Sequence, residues 1–440
     1  MRENPVELRI AQSNRPDHSP SPQRFLVVVV GSYGDLNPCL AIARGLRERG
    51  HKVTFLTTDY YRAVMDRLGF EMVSILPRDE FLRIFSHPDF NHRFKTFKFQ
   101  LRELWLAIMR REFQAIEQRY EPSQTAVLTL GLPFGPRLAQ EKLGVPMATL
   151  AHFPQYFRSI HDPHGISGRD RFWSLRARRW LRAAVTARTD SLVGPGINQF
   201  RAELGLPPVR NIFGEWLFSP QLILGLFPEW WTAPQPDWPS QVHLTGFPIS
   251  DGGDEEKLVP EVEEFLQGGD PPLVINALSA IQRAREFFDI AVAAAQRMGR
   301  RAILLSPFAQ NVPPDLPAQV RHFSYVPHSL LLPRSAGILH QGGIGTTAKA
   351  LLAGVPQVIV PVNFDQPYNA RCVAAMGVGA MLPVRQFQPE RLAREFKQLD
   401  SAQVSGRLKE LSSRIRQQDG VAEACRAIEQ VLLRTPAVPA

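Results

Sequence analysis

Short, wholly apolar runs alternate with amphipathic stretches along this chain, a pattern that predicts buried parallel β-strands joined by helical crossovers. Residues 25–30 (FLVVVV) read as a strand with no polar face, followed by a turn at Gly31, Ser32, Tyr33 and Gly34. Asn37 and Pro38 then predict the cap and first residue of a helix carrying Leu40, Ile42, Ala43 and Leu46 toward Gly50, and residues 51–58 form the next strand. Residues 147–151 are another apolar run, ending at His152. Residues 273–277 open a second set of strands, and 335–339 lead as a strand into His340. Gly342 and Gly343 permit a tight turn, Thr346 and Thr347 open an apolar helix through Leu352, and Gly354 ends it. Residues 357–362 form the next buried strand, with Asp365 and Gln366 at its carboxyl end. Leu408, Leu411 and Ile415, then Ala422, Cys425, Ile428, Val431 and Leu432, predict two closing helices.

The regularity falls between about residues 80 and 240, where loops inserted into a Rossmann-like unit would carry selectivity for a substrate. Leu101, Leu104, Trp105, Ile108 and Met109 recur at helical spacing among lysines and arginines. Residues 169–188 hold seven arginines against one acidic residue, interleaved with Phe172, Trp173, Leu175, Trp180 and Leu181. That mixture suits an anionic membrane surface; the alternative is a solvated basic face whose aromatics pack inward. The acidic, glycine-bearing stretch that follows reads as a linker.

A chain of 440 residues exceeds one ordinary core and predicts two domains. The boundaries are a disordered tail at 1–22, a first domain at 23–248, a linker at 249–271, a second domain at 272–405, and helices at 406–440 bracing the first domain. With 44% hydrophobic and 21% charged residues, no apolar run of membrane-spanning length and no secretion-signal pattern, the expectation is a cytoplasmic protein, at most peripheral at the inner face of a membrane. The net charge of +9 is accompanied by no nucleic-acid-binding motif. Cys39, Cys372 and Cys425 lack metal-ligand spacing and read as buried thiols.

Candidate chemistry concentrates between His340 and Gln366. A glycine turn opening a helix offers free N–H groups and a favourable dipole to a diphosphate, with hydroxyls from Thr346 and Thr347 and a proton from His340. The order His340, Gly342, Gly343, Gly345, Thr346, Thr347, then Asp365 and Gln366 resembles the donor-binding signature of family 1 glycosyltransferases with the GT-B fold. The resemblance implies that the histidine and the threonine turn hold the donor diphosphate and that the Asp-Gln pair grips the sugar. Residues 321–333 resemble the family's Trp-x-Pro-Gln element, so Tyr325 would stack on the base, the Val326 backbone would bond its edge, and His328 takes the place of the glutamine. Two departures stand out: Ala348 replaces a ribose-binding glutamate of many plant members, and Leu278-Ser279 replaces Gly-Ser, leaving Ser279 as a hydroxyl donor beside a crowded turn.

The opening β-α-β unit resembles the family's acceptor domain, whose Gly-His-x-x-Pro element carries the catalytic base. Gly34, Asp35 and Pro38 align with it, so Asp35 stands where the histidine does, as in several bacterial branches acting on antibiotics, sterols or lipids. Asp35 is thereby the candidate base, with Tyr33 and His152 as acceptor contacts, His152 as the rival base, and simple helix capping as the alternative for Asp35. Segments around Trp216, Phe227, Trp230, Trp231 and Phe247 resemble rhamnolipid rhamnosyltransferase catalytic subunits, pointing to a lipid-like acceptor, although the same aromatics suit a core. Taken together the resemblance implies an α/β, GT-B architecture: two Rossmann-like domains whose mostly parallel sheets face each other across a cleft. It implies inverting transfer of rhamnose or glucose from a thymidine- or uridine-diphosphate sugar to a small hydrophobic acceptor, without metal or further cofactor. The alternatives are a non-catalytic nucleotide-sugar-binding partner, motivated by Leu278 and the missing histidine, and a nucleotide-sugar epimerase of the same fold.

Overall fold

Strands with no polar face must be covered on both sides, and the chain solves this twice. A computed structural model describes residues 23–90, 95–162, 164, 172–249, 257–277 and 284–433. The first sheet comprises β1 (Arg24–Val29), β2 (Lys52–Thr58), β3 (Glu71–Leu76), β4 (Thr125–Leu130), β5 (Met147–Ala151), β6 (Leu222–Gly225) and β7 (Val242–Leu244). They run in the order β3-β2-β1-β4-β5-β6-β7, and every pair is parallel. The second comprises β8 (Leu273–Asn276), β9 (Ala302–Leu305), β10 (Val320–Phe323), β11 (Gly337–His340), β12 (Gln357–Ile359) and β13 (Gly379–Met381), in the parallel order β10-β9-β8-β11-β12-β13. Strand order reverses beside β1 and β4 in the first sheet and beside β8 and β11 in the second. At such switch points loops diverge to opposite faces and leave a crevice at the carboxyl ends.

Three local boundaries depart from the sequence expectation. The first helix spans Tyr33–Glu48, starting four residues before Asn37, because Ser32 and Asp35 form a reciprocal capping box. Pro38 therefore lies inside the helix, near enough to its start that only one early backbone bond is forgone. The helix after the glycine turn begins at Ile344 with Gly343 as its cap residue, two residues before Thr346. Strand β12 stops at Ile359, although Val360 still donates to the His340 carbonyl at 2.9 Å; Pro361 then has no N–H to continue the ladder.

The closing helices divide their roles. Helix Ala402–Arg416 stays with the second sheet, where Ser412 Oγ donates to the Leu352 carbonyl at 2.6 Å. Only helix Gly420–Leu432 crosses to the first, placing Cys425, Ile428 and Leu432 in one core with Phe25, Val27 and Leu128. Gly45 permits that approach, since a Cβ there would stand 2.8 Å from Val421 Cγ1 and 2.9 Å from Cys425 Sγ. All three cysteines are free and buried. Among the described residues no helix is long and apolar enough to cross a membrane. The predicted tail and residues 250–256 of the predicted linker lie outside the described residues.

Because Ile428 is fully buried in the first domain's core, Ile428→Ala should cost about 2–5 kcal/mol in denaturant unfolding. A loosely attached final helix would instead give a change near zero.

Candidate active site

The loop after β1 places Asp35 in the first turn of helix Tyr33–Glu48. Gly31 makes room for it, since a side chain at that position would collide with the Asp35 carboxylate. Asp35 Oδ2 accepts from the Ser32 amide at 2.8 Å and from Ser32 Oγ at 3.1 Å, so one carboxylate oxygen does cap the helix. The other, Oδ1, lies 3.5 Å from His152 Nε2, just beyond the carboxyl end of β5. Burial holds the His152 pKa below the usual histidine value, and the Asp35 charge opposes this only in part, so the ring is neutral near pH 7. Its Nδ1 is buried without a hydrogen-bond partner. The sequence reading treated Asp35 and His152 as rivals; the fold makes them neighbours.

Aromatic rings lie on the His152 side of this pair and on the neighbouring loops. The His152 ring meets the edge of Phe153 at 4.4 Å between centroids, and Phe153 stacks on Tyr156 at 4.4 Å. Gly131, at the end of β4 with φ of 107°, lies under the Trp105 indole, which a Cβ there would meet at 2.6 Å. Tyr33 is 48% exposed and packs edge-on against Tyr61 at 5.1 Å. Of the aromatics that pointed to a lipid-like acceptor, Trp216, Phe227, Trp231 and Phe247 are buried, and Trp216 Nε1 donates to Glu141 Oε1 at 2.6 Å.

On the second domain, the glycine turn after β11 is built as a cradle. Gly342 has φ of 96°, and a Cβ on it would stand 2.6 Å from Ile359 Cγ2, so only glycine fits. Around Gly343 and Gly345 there is open space. The amides of Gly345 and Thr346 make no hydrogen bond to a described residue, leaving two donors of the helix N-terminus for a ligand. Thr346 is partly exposed, whereas Thr347 is buried and its Oγ1 donates to the Gly343 carbonyl at 3.0 Å.

Two expected ligand contacts are engaged internally. His340 is buried, with Nδ1 accepting from the Gly342 amide at 3.0 Å and Nε2 facing Gln357 Oε1 at 3.0 Å. Burial lowers its pKa to about 4, so the ring is neutral and its single proton goes to Gln357. Direct donation from His340 to a diphosphate, foreseen in the sequence, is thus unavailable in this arrangement; the ring shapes the glycine turn instead. The Thr347 hydroxyl is likewise used within its own helix turn.

Asp365 caps the same helix from the next crossover, its Oδ2 accepting from the Ile344 amide at 3.1 Å and from Asn369 Nδ2 at 2.7 Å. Burial, with a small addition from the Asp35 charge across the cleft, raises its pKa to about 7. Gln366 turns its Oε1 inward to accept from the amides of Val362 and Asn363 at 2.9 and 3.1 Å. Tyr325 is 56% exposed on the loop after β10, anchored by buried Val326, while His328 Nε2 meets Asn276 Nδ2 at 3.1 Å at the end of β8. Leu278 and Ser279 lie outside the described residues.

Sequence reasoning missed several members of this network. Asn369 bonds both Asp365 and the Gly342 carbonyl, at 2.7 and 2.8 Å; its spacing of four from Asp365 on one helix was the available signal. Tyr368 Oη donates to Asp162 Oδ2 at 2.8 Å and meets Thr232 Oγ1 at 3.0 Å, clasping the two domains beside the cleft. No local pattern announces a pair so far apart in the chain.

The match to known proteins covers both halves of this site. A model of the glycosyltransferase family 28 N-terminal domain matches residues 25–161, and one of the erythromycin biosynthesis protein CIII-like C-terminal domain matches residues 303–428. The chain is 30% identical to the O-mycaminosyltylonolide 6-deoxyallosyltransferase of Streptomyces fradiae, over 92% of this chain and 97% of that protein. It is 29% identical to the vancomycin aglycone glucosyltransferase of Amycolatopsis orientalis, over 81% and 85%. A sterol 3-beta-glucosyltransferase of Arabidopsis thaliana shares 25% identity, over 92% of this chain and 65% of its own length. In fold, the calicheamicin glycosyltransferase CalG4 superposes with a TM-score of 0.69 at 20% identity, over 94% of this chain and 99% of its own. VinC in complex with dTDP does so at 0.67 and 18%, over 94% and 100%. With two parallel sheets, a relative 30% identical along nearly its whole length and an erythromycin CIII-like C-terminal domain, the chain belongs to the family 1 and family 28-like glycosyltransferases of the GT-B fold.

Proposed function

We propose that the protein transfers a hexose, rhamnose or glucose, with inversion from a thymidine- or uridine-diphosphate sugar to a hydroxyl of a small hydrophobic acceptor. The observation that carries this reading is the placement of Asp35 Oδ1 beside His152 Nε2, at 3.5 Å, at the switch point of the first sheet. Across the cleft stand the open amides of Gly345 and Thr346. The acceptor oxygen attacks the anomeric carbon as the bond from that carbon to the diphosphate oxygen breaks, and its proton passes to Asp35. Negative charge growing on the departing diphosphate meets the helix N-terminus, whose fixed dipoles need no reorganisation. His152, neutral and buried, orients the carboxylate that its Nε2 faces. Tyr325 offers its exposed face to the base, and Asp365 lies at the helix N-terminus where the sugar would meet the diphosphate.

The aromatic side chains near the pair support an apolar acceptor. Phe153 and Tyr156 pack against His152, and Trp105 covers Gly131 at the end of β4; such rings supply apolar area to a hydrophobic acceptor. Among the relatives, the sterol 3-beta-glucosyltransferase supports an apolar acceptor.

Asp35→Asn keeps an oxygen to cap the helix but cannot take a proton. Turnover should fall a hundredfold or more, on the order of a general base's contribution, while calorimetric affinity for dTDP or UDP stays unchanged. Activity retained near the wild-type level would refute Asp35 as the base. A non-catalytic partner would instead show no turnover in the unaltered protein.

Asp365, with its carboxyl raised to about 7, is ionised above that pH and protonated below it. Sugar hydroxyls that donate to the carboxylate should therefore bind more weakly as pH falls through 7. The dissociation constant of the intact nucleotide sugar, but not of the free nucleotide, should rise over that range, and Asp365→Asn should abolish the step.

A further inference from the structure

The aromatic residues of the basic stretch do not pack inward. Phe172 is 81% exposed, Trp173 49%, Leu175 50% and Trp180 73%. They begin and line helix Leu175–Glu203, and from residue 172 to residue 189 the chain has five arginines and no acidic residue. Arg176, Arg179, Trp180, Ala183, Ala187 and Arg188 are all exposed, and their spacing of three, one, three, four and one puts them on one face of the helix.

The arginines divide by side. Arg178 turns inward, its Nη1 donating to the carbonyls of Ile160 and Asp162 at 2.9 and 3.2 Å, and Arg182 pairs with Asp237 at 2.6 Å. Arg176, Arg179 and Arg188 make no ion pair with a described residue. A solvated helix face ordinarily mixes both signs of charge. This one offers a tryptophan, small alanines and uncompensated guanidinium groups, and neighbouring Phe172 and Trp173 extend its apolar part.

We propose that this face docks the protein reversibly on the surface of an anionic phospholipid bilayer. Trp180, Phe172 and Trp173 enter the headgroup layer, where an aromatic ring is favoured over water, and the three outward arginines meet lipid phosphates. The placement has a consequence for access. Through Arg178 the helix is tied to residues 160–162, the segment between His152 and the Asp162–Tyr368 clasp. Docking there sets the acceptor side of the cleft near the bilayer, from which an apolar acceptor can enter. The docking surface is separate from the reacting groups, so its failure leaves the catalytic reading standing.

The test is co-sedimentation of the full chain with phosphatidylcholine vesicles, with and without phosphatidylglycerol. Binding should require phosphatidylglycerol and weaken as salt rises. Together, R176Q, R179Q and R188Q should lower partitioning about a hundredfold, each basic residue near the surface contributing severalfold. W180S should weaken binding and remove part of the fluorescence quenching by brominated acyl chains, with melting temperatures unchanged in both variants. Equal binding to both vesicle types, or unaltered partitioning of the triple-arginine variant, would overturn the proposal. So would an oligomer, seen by light scattering, that W180S dissociates in protein that ignores vesicles, since the face would then join copies of the chain.

Discussion

Every strand of both sheets pairs in parallel, and this constraint organises the molecule. Parallel strands need crossovers that cover the sheet, so the inner strands are buried, the edge strands β3, β7, β10 and β13 are partly exposed, and the candidate loops leave from carboxyl ends. The candidate site residues lie where a buried strand releases the chain: Asp35 after β1, Gly131 after β4, His152 after β5, and the glycine turn after β11. The switch points of the two sheets face one cleft, which brings Asp35 near Asp365 although they belong to different sheets.

Charge in the cleft is managed by burial as much as by pairing. Asp365 occupies one amide of the helix Ile344–Ala353 N-terminus and leaves the next two open, so the helix is neither uncapped nor closed to a ligand. His340 stays neutral because its burial outweighs the bond to Gln357, which makes it a rigid part of the turn. On the opposite wall a neutral His152 beside Asp35 adds orientation without adding positive charge.

Much of this was legible in the chain. Apolar runs of four to six residues bounded by glycines located the strands, and the turn from His340 to Thr347 with Asp365 and Gln366 marked the donor side. The chain was less legible where side chains compete for the same backbone groups. Asn37-Pro38 has the local form of a helix start, yet the reciprocal bonds of Ser32 and Asp35 begin the helix earlier. His340 and Thr347 have the chemistry of ligand donors, but Gln357 and the Gly343 carbonyl engage them first. The exposed aromatics at 172–180 have the composition of a core, and only burial distinguishes the two cases.

By itself the sequence determined the α/β class, the doubling of the Rossmann-like unit and the glycine turn that opens the candidate donor motif, because strand burial, helix capping and positive-φ glycines depend on neighbours within a few residues. Tertiary structure alone decided which polar atoms remain free. The Asp35–His152 pair, the Tyr368 clasp to Asp162 and Thr232, and the crossing of helix Gly420–Leu432 onto the first core each join residues distant in the chain. Contacts of that kind are set by how two sheets pack, and a one-dimensional pattern carries no record of it.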